Sequence, residues 1–176
     1  MENASESFWS ADVEYNWQRR DPAWTATLLH ERLWIGGVPE FDVVVAPGTV
    51  ASPWRPTAHA GLYDACLTMT PIAGPAGPGV LEYRVPLLDV DTPDLHLDVL
   101  HDALDWVLRQ HQAGGRVLVR CHAGLNRSGV IAVPALTHLA AGWSFDEALA
   151  HARRTRHRLV LSRPAFETAA RSLAAH

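Results

Sequence analysis

The sequence contains no lysine; all 15 of its basic residues are arginine. Chemistry that needs an amine, such as a Schiff base or the lysine of a Walker-type phosphate loop, is therefore excluded. Cysteine is scarce, with only Cys66 and Cys121, too few for a disulfide framework or a thiolate zinc site. No apolar run approaches the roughly 18 residues that span a bilayer. The opening stretch, Met1 to Ser10, is acidic and polar and lacks the pattern of a secretory signal. Basic charge is not in excess either: the net charge is -4, whereas nucleic-acid binders usually carry a basic surface. These absences lead us to expect a cytoplasmic protein with free cysteines and neither a membrane nor a nucleic-acid partner.

What is present suits one folded domain. The chain has 176 residues, 48% hydrophobic and 19% charged, which is long and apolar enough for a single core. Residues 1–27 are polar with scattered tryptophans and no sustained period, and read as an arm; residues 28–176 read as the domain. Leu33-Trp34-Ile35, closed by Gly36-Gly37, reads as a strand, as do residues 41–45, 63–69 and 80–88. Residues 46–60, with three prolines and Trp54, read as a loop, and residues 74–79 as a Gly/Pro surface turn. Thr92-Pro93-Asp94 has the order of an N-cap and first helical residue, followed by Leu97, Leu100, Leu104, Val107 and Leu108 at helical spacing. Gly114-Gly115 ends that helix, and Arg116 to Val119 is an apolar run of buried-strand type. Residues 128–141 read as a buried helix that Pro134 should bend near Val130. Ser144-Phe145-Asp146-Glu147 is a capping box, and Ser162 and Pro164 open a last helix. Strands alternating with a crossover and then helices define an α/β domain: a central, mostly parallel sheet flanked by helices.

One segment carries chemistry: Arg120-Cys121-His122-Ala123-Gly124-Leu125-Asn126-Arg127-Ser128, lying between the buried strand and a helix. Loop amides at such a junction point inward as an anion nest, and the helix N-terminus adds positive potential. Arg127, six residues after the cysteine, can fork onto two phosphate oxygens. A cysteine in that setting has its thiolate favoured and becomes a nucleophile. A bare Cys-x5-Arg arises often by chance; the strand before it, Gly124 inside it and the helix after it give the pattern its weight.

These residues resemble the cysteine-dependent protein phosphatases, specifically their compact dual-specificity branch, over about Leu28 to the C-terminus. The family pattern His-Cys-x-x-Gly-x-x-Arg-Ser/Thr is met by Cys121, Gly124, Arg127 and Ser128; Arg120 stands where the family has His. The resemblance implies a phosphomonoester hydrolase acting through a phosphocysteine, without metal or other cofactor. His122, Ala123, Gly124, Leu125, Asn126 and Arg127 would hold the phosphate, and the Ser128 hydroxyl would ease departure of the thiolate. The family's general acid lies about thirty residues before the cysteine. Asp89, in Val85-Pro86-Leu87-Leu88-Asp89, has that context; Asp91 is its rival, and Asp94 reads as a helix-start residue. The partner implied is a phosphorylated protein or small phosphomonoester. The other reading is a catalytically weak phosphate- or phosphoprotein-binding module on the same scaffold.

Other signals carry less. The basic run Arg153-Arg154-Thr155-Arg156-His157-Arg158 suits a helix C-terminus, or a rim for a second phosphate. Where the family has Asn before a Phe, this chain has Arg163-Pro164-Ala165-Phe166. The ten histidines lack zinc-helix spacing. His122 is expected to face solvent at the pocket mouth. Cys66 reads as a buried filler, with a minority role in trapping oxidised Cys121 as a disulfide.

Overall fold

The structure is a computed structural model that describes residues 26–37, 61–71, 73–91 and 93–175. The expected strand at 41–45, the loop at 46–60 with Trp54, the cap Thr92 and the arm up to residue 25 lie outside the described residues.

Five strands form one sheet: β1 (Ala26–His30), β2 (Leu33–Gly36), β3 (Ala65–Thr68), β4 (Leu81–Arg84) and β5 (Val117–Arg120), in the order β1-β2-β5-β3-β4. β1 pairs antiparallel with β2, and the other three pairings are parallel. β1 spans the expected boundary between residues 27 and 28. β5 is central and buried along its whole length. It reads Val-Leu-Val-Arg because a strand covered on both faces has no solvent side to leave polar.

Side chains alternate across this sheet and sort the core in two. Leu33, Ile35, Ala65, Leu67, Val117, Val119 and Cys121 join the main core. Cys66 and Leu118 join a smaller cluster with Ala26, Tyr63 and Ala76. The apolar stripes of all four described helices, α1 (Leu97–Gln112), α2 (Asn126–Leu139), α3 (Phe145–Thr155) and α4 (Pro164–Ala174), join the main core. The other face is covered by loop residues such as Ala76 and Val80.

α1 starts at Leu97 rather than Pro93, with His96 at the N-cap and no side-chain cap bond. Burial decides this: the stripe Leu100, Ala103, Leu104 and Val107 is what packs at helical spacing, and of residues 93–96 only the partly buried Leu95 reaches the core. The last strand expectation shortens too. β4 ends at Arg84, and beyond it Val85 N still donates to Thr68 O at 3.0 Å and Leu87 N to Met69 O at 3.4 Å. α2 runs from Asn126 through Pro134, although a proline there cannot donate to the Val130 carbonyl. Ser144 and Glu147 form the expected capping box: Glu147 N donates to Ser144 Oγ at 3.3 Å and Ser144 N to Glu147 Oε2 at 2.8 Å. Among the described residues no helix is long and apolar enough to cross a membrane.

Candidate active site

The site is assembled at the carboxyl end of β5, where open α/β sheets offer their crevice. Cys121 follows the strand directly, and its amide donates to Gly36 O at 3.2 Å, which ties the loop to β2. Gly124 takes φ +69, and a Cβ there would stand 2.6 Å from the Gly36 carbonyl carbon. A Cβ at Gly37 would stand 2.8 Å from His122 O. The loop therefore lies backbone against backbone on the Gly36-Gly37 pair. That contact is why the strand ends in two glycines, where one would have served as a stop.

Within the loop, Gly124 N donates to Cys121 Sγ at 3.2 Å, and Ser128 Oγ lies 3.4 Å from the same sulfur. Arg156 acts on the far side of that peptide. Its Nη2 donates to Ala123 O at 3.2 Å and its Nη1 to Thr27 Oγ1 at 3.1 Å. Ala123 C=O and Gly124 N–H belong to one planar unit and point oppositely. Drawing the carbonyl out towards Arg156 turns the amide in towards sulfur. Burial lowers the Arg156 pKa, which the nearby Cys121 and Tyr63 partly offset. Within the basic run expected to suit a helix C-terminus or a rim for a second phosphate, Arg156 is half-buried and turned to the back of the loop, whereas Arg154 and Arg158 are exposed.

Arg127 is buried at the start of α2. Its Nη1 donates to Thr70 Oγ1 at 3.2 Å and Leu87 O at 3.3 Å, and its Nη2 lies 3.5 Å from Asp89 Oδ2. Its Nε has no hydrogen-bond partner although it is buried. The two acid candidates separate here. Asp89 is the one turned to Arg127; Asp91 is 90% exposed at its side chain and pairs with Arg163 Nη1. Arg163 Nε also lies 3.2 Å from Asp89 Oδ1. Asp94, 88% exposed, pairs with His96 and stands outside the helix it was expected to start. Asn126 joins the two ends of the site: its Oδ1 accepts from Arg163 N at 3.3 Å and Ser162 Oγ at 3.4 Å. The sequence marked Arg156 only as part of a basic run and Arg163 only as a departure from the family; their contacts with Ala123 and with Asp89 and Asp91 carried no sequence signal.

Cys121 is fully buried, and Arg127 is occupied by the protein's own acceptors. The Asp89 carboxylate is the anion that Arg127 meets in this state. A hollow of about 200 Å³ lies between the end of β4 and the start of α1, lined by Tyr83, Pro86, Leu87, His96 and Val99 among others and by no residue of the Cys121–Arg127 loop. His122 is half-buried rather than solvent-facing, and burial, then Arg127, pull its pKa down to about 4 against the opposing Asp89. It is therefore a neutral imidazole at neutral pH.

Arg120 leaves the site altogether. Alternation sends it to the opposite face of the sheet, fully buried, where Nε donates to Thr68 Oγ1 at 2.9 Å and Nη2 to Gly74 O at 2.6 Å and Glu82 Oε1 at 3.1 Å. Cys66 belongs to that face as well, 3.7 Å from Thr68 Oγ1, and burial pushes its pKa up to about 11. The disulfide with Cys121 is corrected on this ground, since the two sulfurs lie on opposite faces of the sheet. The Gly/Pro turn is held from the same cluster, with Ala73 and Ala76 buried beneath it, so it is more than a surface turn. Among the described residues no group of three or more His, Cys, Asp or Glu is placed to hold a metal ion.

The strand order, the helix layer and this loop together are the fold of the dual-specificity phosphatases. The crystal structure of human DUSP28 matches with a TM-score of 0.65 at 22% identity, over 85% of this chain and 95% of that one. Tk-PTP in its active form matches at 0.62 and 22%, over 86% and 97%. A human tyrosine phosphatase-like serine/threonine/tyrosine-interacting protein matches at 0.64 and 13%, over 85% and 95%. At these identities the likeness is one of fold. No family model matches the sequence, and no curated protein does.

Proposed function

We propose that this chain hydrolyses phosphomonoesters through a phosphocysteine, with Cys121 as nucleophile, Asp89 as general acid and base, and Arg127 with the loop amides as the phosphate clamp. The observation that carries the reading is the convergence of the Gly124 amide and the Ser128 hydroxyl on one sulfur at the end of the central strand. Donors aimed at sulfur stabilise it as an anion.

Substrate entry exchanges one anion for another: Arg127 releases the Asp89 carboxylate and takes two equatorial phosphate oxygens. The Cys121 thiolate attacks phosphorus in line, forming S–P as the ester P–O bond breaks. Released from Arg127, the Asp89 carboxylate takes up a proton from solvent, and as the acid it gives that proton to the leaving oxygen, releasing an alcohol or phenol and becoming a carboxylate again. Water then attacks phosphorus, its proton passing to Asp89, and the S–P bond breaks to return thiolate and phosphate. Ser128, already 3.4 Å from the sulfur, supports that departure. The loop residues His122 to Asn126 would supply the remaining amides to the phosphate, without any lysine among them. Phosphorylated proteins and small aryl phosphates are the substrates this site would take, in a cytoplasmic setting.

Rapid quench with a labelled aryl phosphate tests the proposal: one acid-stable equivalent on Cys121, lost in Cys121→Ser, is the expected result. A second reading, a phosphate-binding module, draws on the burial of Cys121 and the engagement of Arg127 by Asp89. Stoichiometric phosphate binding with no labelled cysteine would select it.

A further inference from the structure

The segment that enters α4 touches both halves of the site. Ser162 and Arg163 meet Asn126, the first residue of α2, through the Asn126 Oδ1 contacts at 3.4 and 3.3 Å. The Arg163 guanidinium reaches back to the acid loop, with Nε 3.2 Å from Asp89 Oδ1 and Nη1 paired with Asp91. One residue thus grips two carboxylates of the 85–91 loop with its side chain and the phosphate loop with its backbone.

We propose that Arg163 is the positioning residue of the general acid, and that Asp91 is the second anchor of the same clamp. The inference rests on the phosphatase reading for its chemistry, but on the two ion pairs for its geometry. Arg163 Nε stands at ion-pair distance from Asp89 Oδ1, a buried oxygen without a hydrogen-bond partner, while Oδ2 is the oxygen turned to Arg127. A planar guanidinium can hold two carboxylates at fixed angles through separate nitrogens, which a lysine point charge cannot. Asp91, being exposed, would by itself be a solvated loop residue; its value lies in fixing the loop on the side away from the sulfur. The consequence is a specificity: a well-placed acid matters most for an alkoxide leaving group and least for an acidic phenol. Arg163 therefore sets how well the site handles alkyl phosphates, the chemical class of phosphoserine and phosphothreonine, relative to activated aryl phosphates.

The test compares the full chain with Arg163→Ala, Arg163→Lys and Asp91→Asn on phenyl phosphates of graded leaving-group acidity and one alkyl phosphate. In Arg163→Ala the loss of kcat should grow as the leaving group worsens, by on the order of tenfold across the series, a part of the roughly 10²–10⁴ that a placed acid is worth. Arg163→Lys should recover only part of it, and Asp91→Asn should add nothing to Arg163→Ala. An even loss across the series, or none, overturns the proposal. Amide exchange supplies an arm independent of turnover: the Leu87 amide, bonded to Met69 O, should exchange faster in Arg163→Ala, and an unchanged rate overturns the clamp. If the parent chain turns over none of the series, the phosphatase reading falls by itself and the Leu87 exchange rate decides the clamp.

Discussion

The two sides of the sheet carry the same four kinds of side chain near the carboxyl end of β5. On one face Cys66, Thr68, Glu82 and Arg120 stand together; on the other, Cys121, Ser128, Asp89 and Arg127. A cysteine, a hydroxyl, a carboxylate and an arginine thus occur twice, and only one set looks like chemistry. In the first, the hydroxyl donates to the carboxylate, Thr68 Oγ1 to Glu82 Oε1 at 2.5 Å, and the arginine binds both of them and a loop carbonyl. The Thr68 proton is already given to Glu82, so its contact with the sulfur supplies no donor, and burial holds Cys66 as a thiol. In the second set the sulfur receives a backbone amide, and the arginine keeps a buried Nε without a partner. Composition does not separate a staple from a site. The direction of the donors does.

The largest effect that could break this contrast is at the sulfurs. Cys121→Ser should reduce aryl phosphate turnover below detection, because a serine hydroxyl is not ionised by the same donors. Cys66→Ala should leave turnover near that of the parent chain. Reversal of the pair would assign the chemistry to the wrong face. Next come the carboxylates. Asp89→Asn should lower kcat on an alkyl phosphate by about 10²-fold or more, with Asp91→Asn well below that. A larger loss for Asp91→Asn would exchange their roles.

Glu82→Gln sharpens the contrast on the other face. Arg120 is fully buried and Glu82 is 16% exposed at its side chain, so removing the anion takes away the carboxylate that Arg120 meets. Breaking such a buried pair costs about 3–5 kcal/mol, which a urea midpoint would register. The activity of the folded fraction should stay near the parent value. Asp89→Asn should shift the midpoint much less, its partners Arg127 and Arg163 having other acceptors. Equal destabilisation by both would mean that the second set is a staple too.

The phosphate loop was legible in the sequence because its determinants are local. A buried strand, a cysteine, a glycine at positive φ and a helix start occupy consecutive positions, and periodicity locates each of them. The fate of Arg120 follows from strand alternation, since residues 119 and 121 take the core face. Asp89 and Asp91 were legible only as alternatives, because what separates their surroundings is contact with arginines 38 and 72 or more positions away, Arg127 and Arg163. Arg156 and Thr27, 129 residues apart, meet behind the loop for the same reason. Helix α1 was misplaced at its start, where a good capping sequence lost to the burial of Leu100 and Leu104.

The smallest effect separates the faces by pH. Burial holds His122 near 4 against an ordinary 6.5, so the unfolded chain takes up its proton first. Stability from this group is complete above about pH 6.5 and is lost as pH falls through 6.5 towards 4. Cys66 works in the opposite direction. With its pKa near 11 against 9, the unfolded chain releases the proton first, so its contribution is complete below pH 9 and is lost as pH rises towards 11. His122→Asn should therefore flatten only the acid limb of a urea-midpoint profile, and Cys66→Ala only the alkaline limb. The acid effect should be the smaller, because His122 is half-buried and solvent screens it, whereas Cys66 is shut away entirely. If either variant moved both limbs, the two faces would be coupled through the sheet, and their independence would fail.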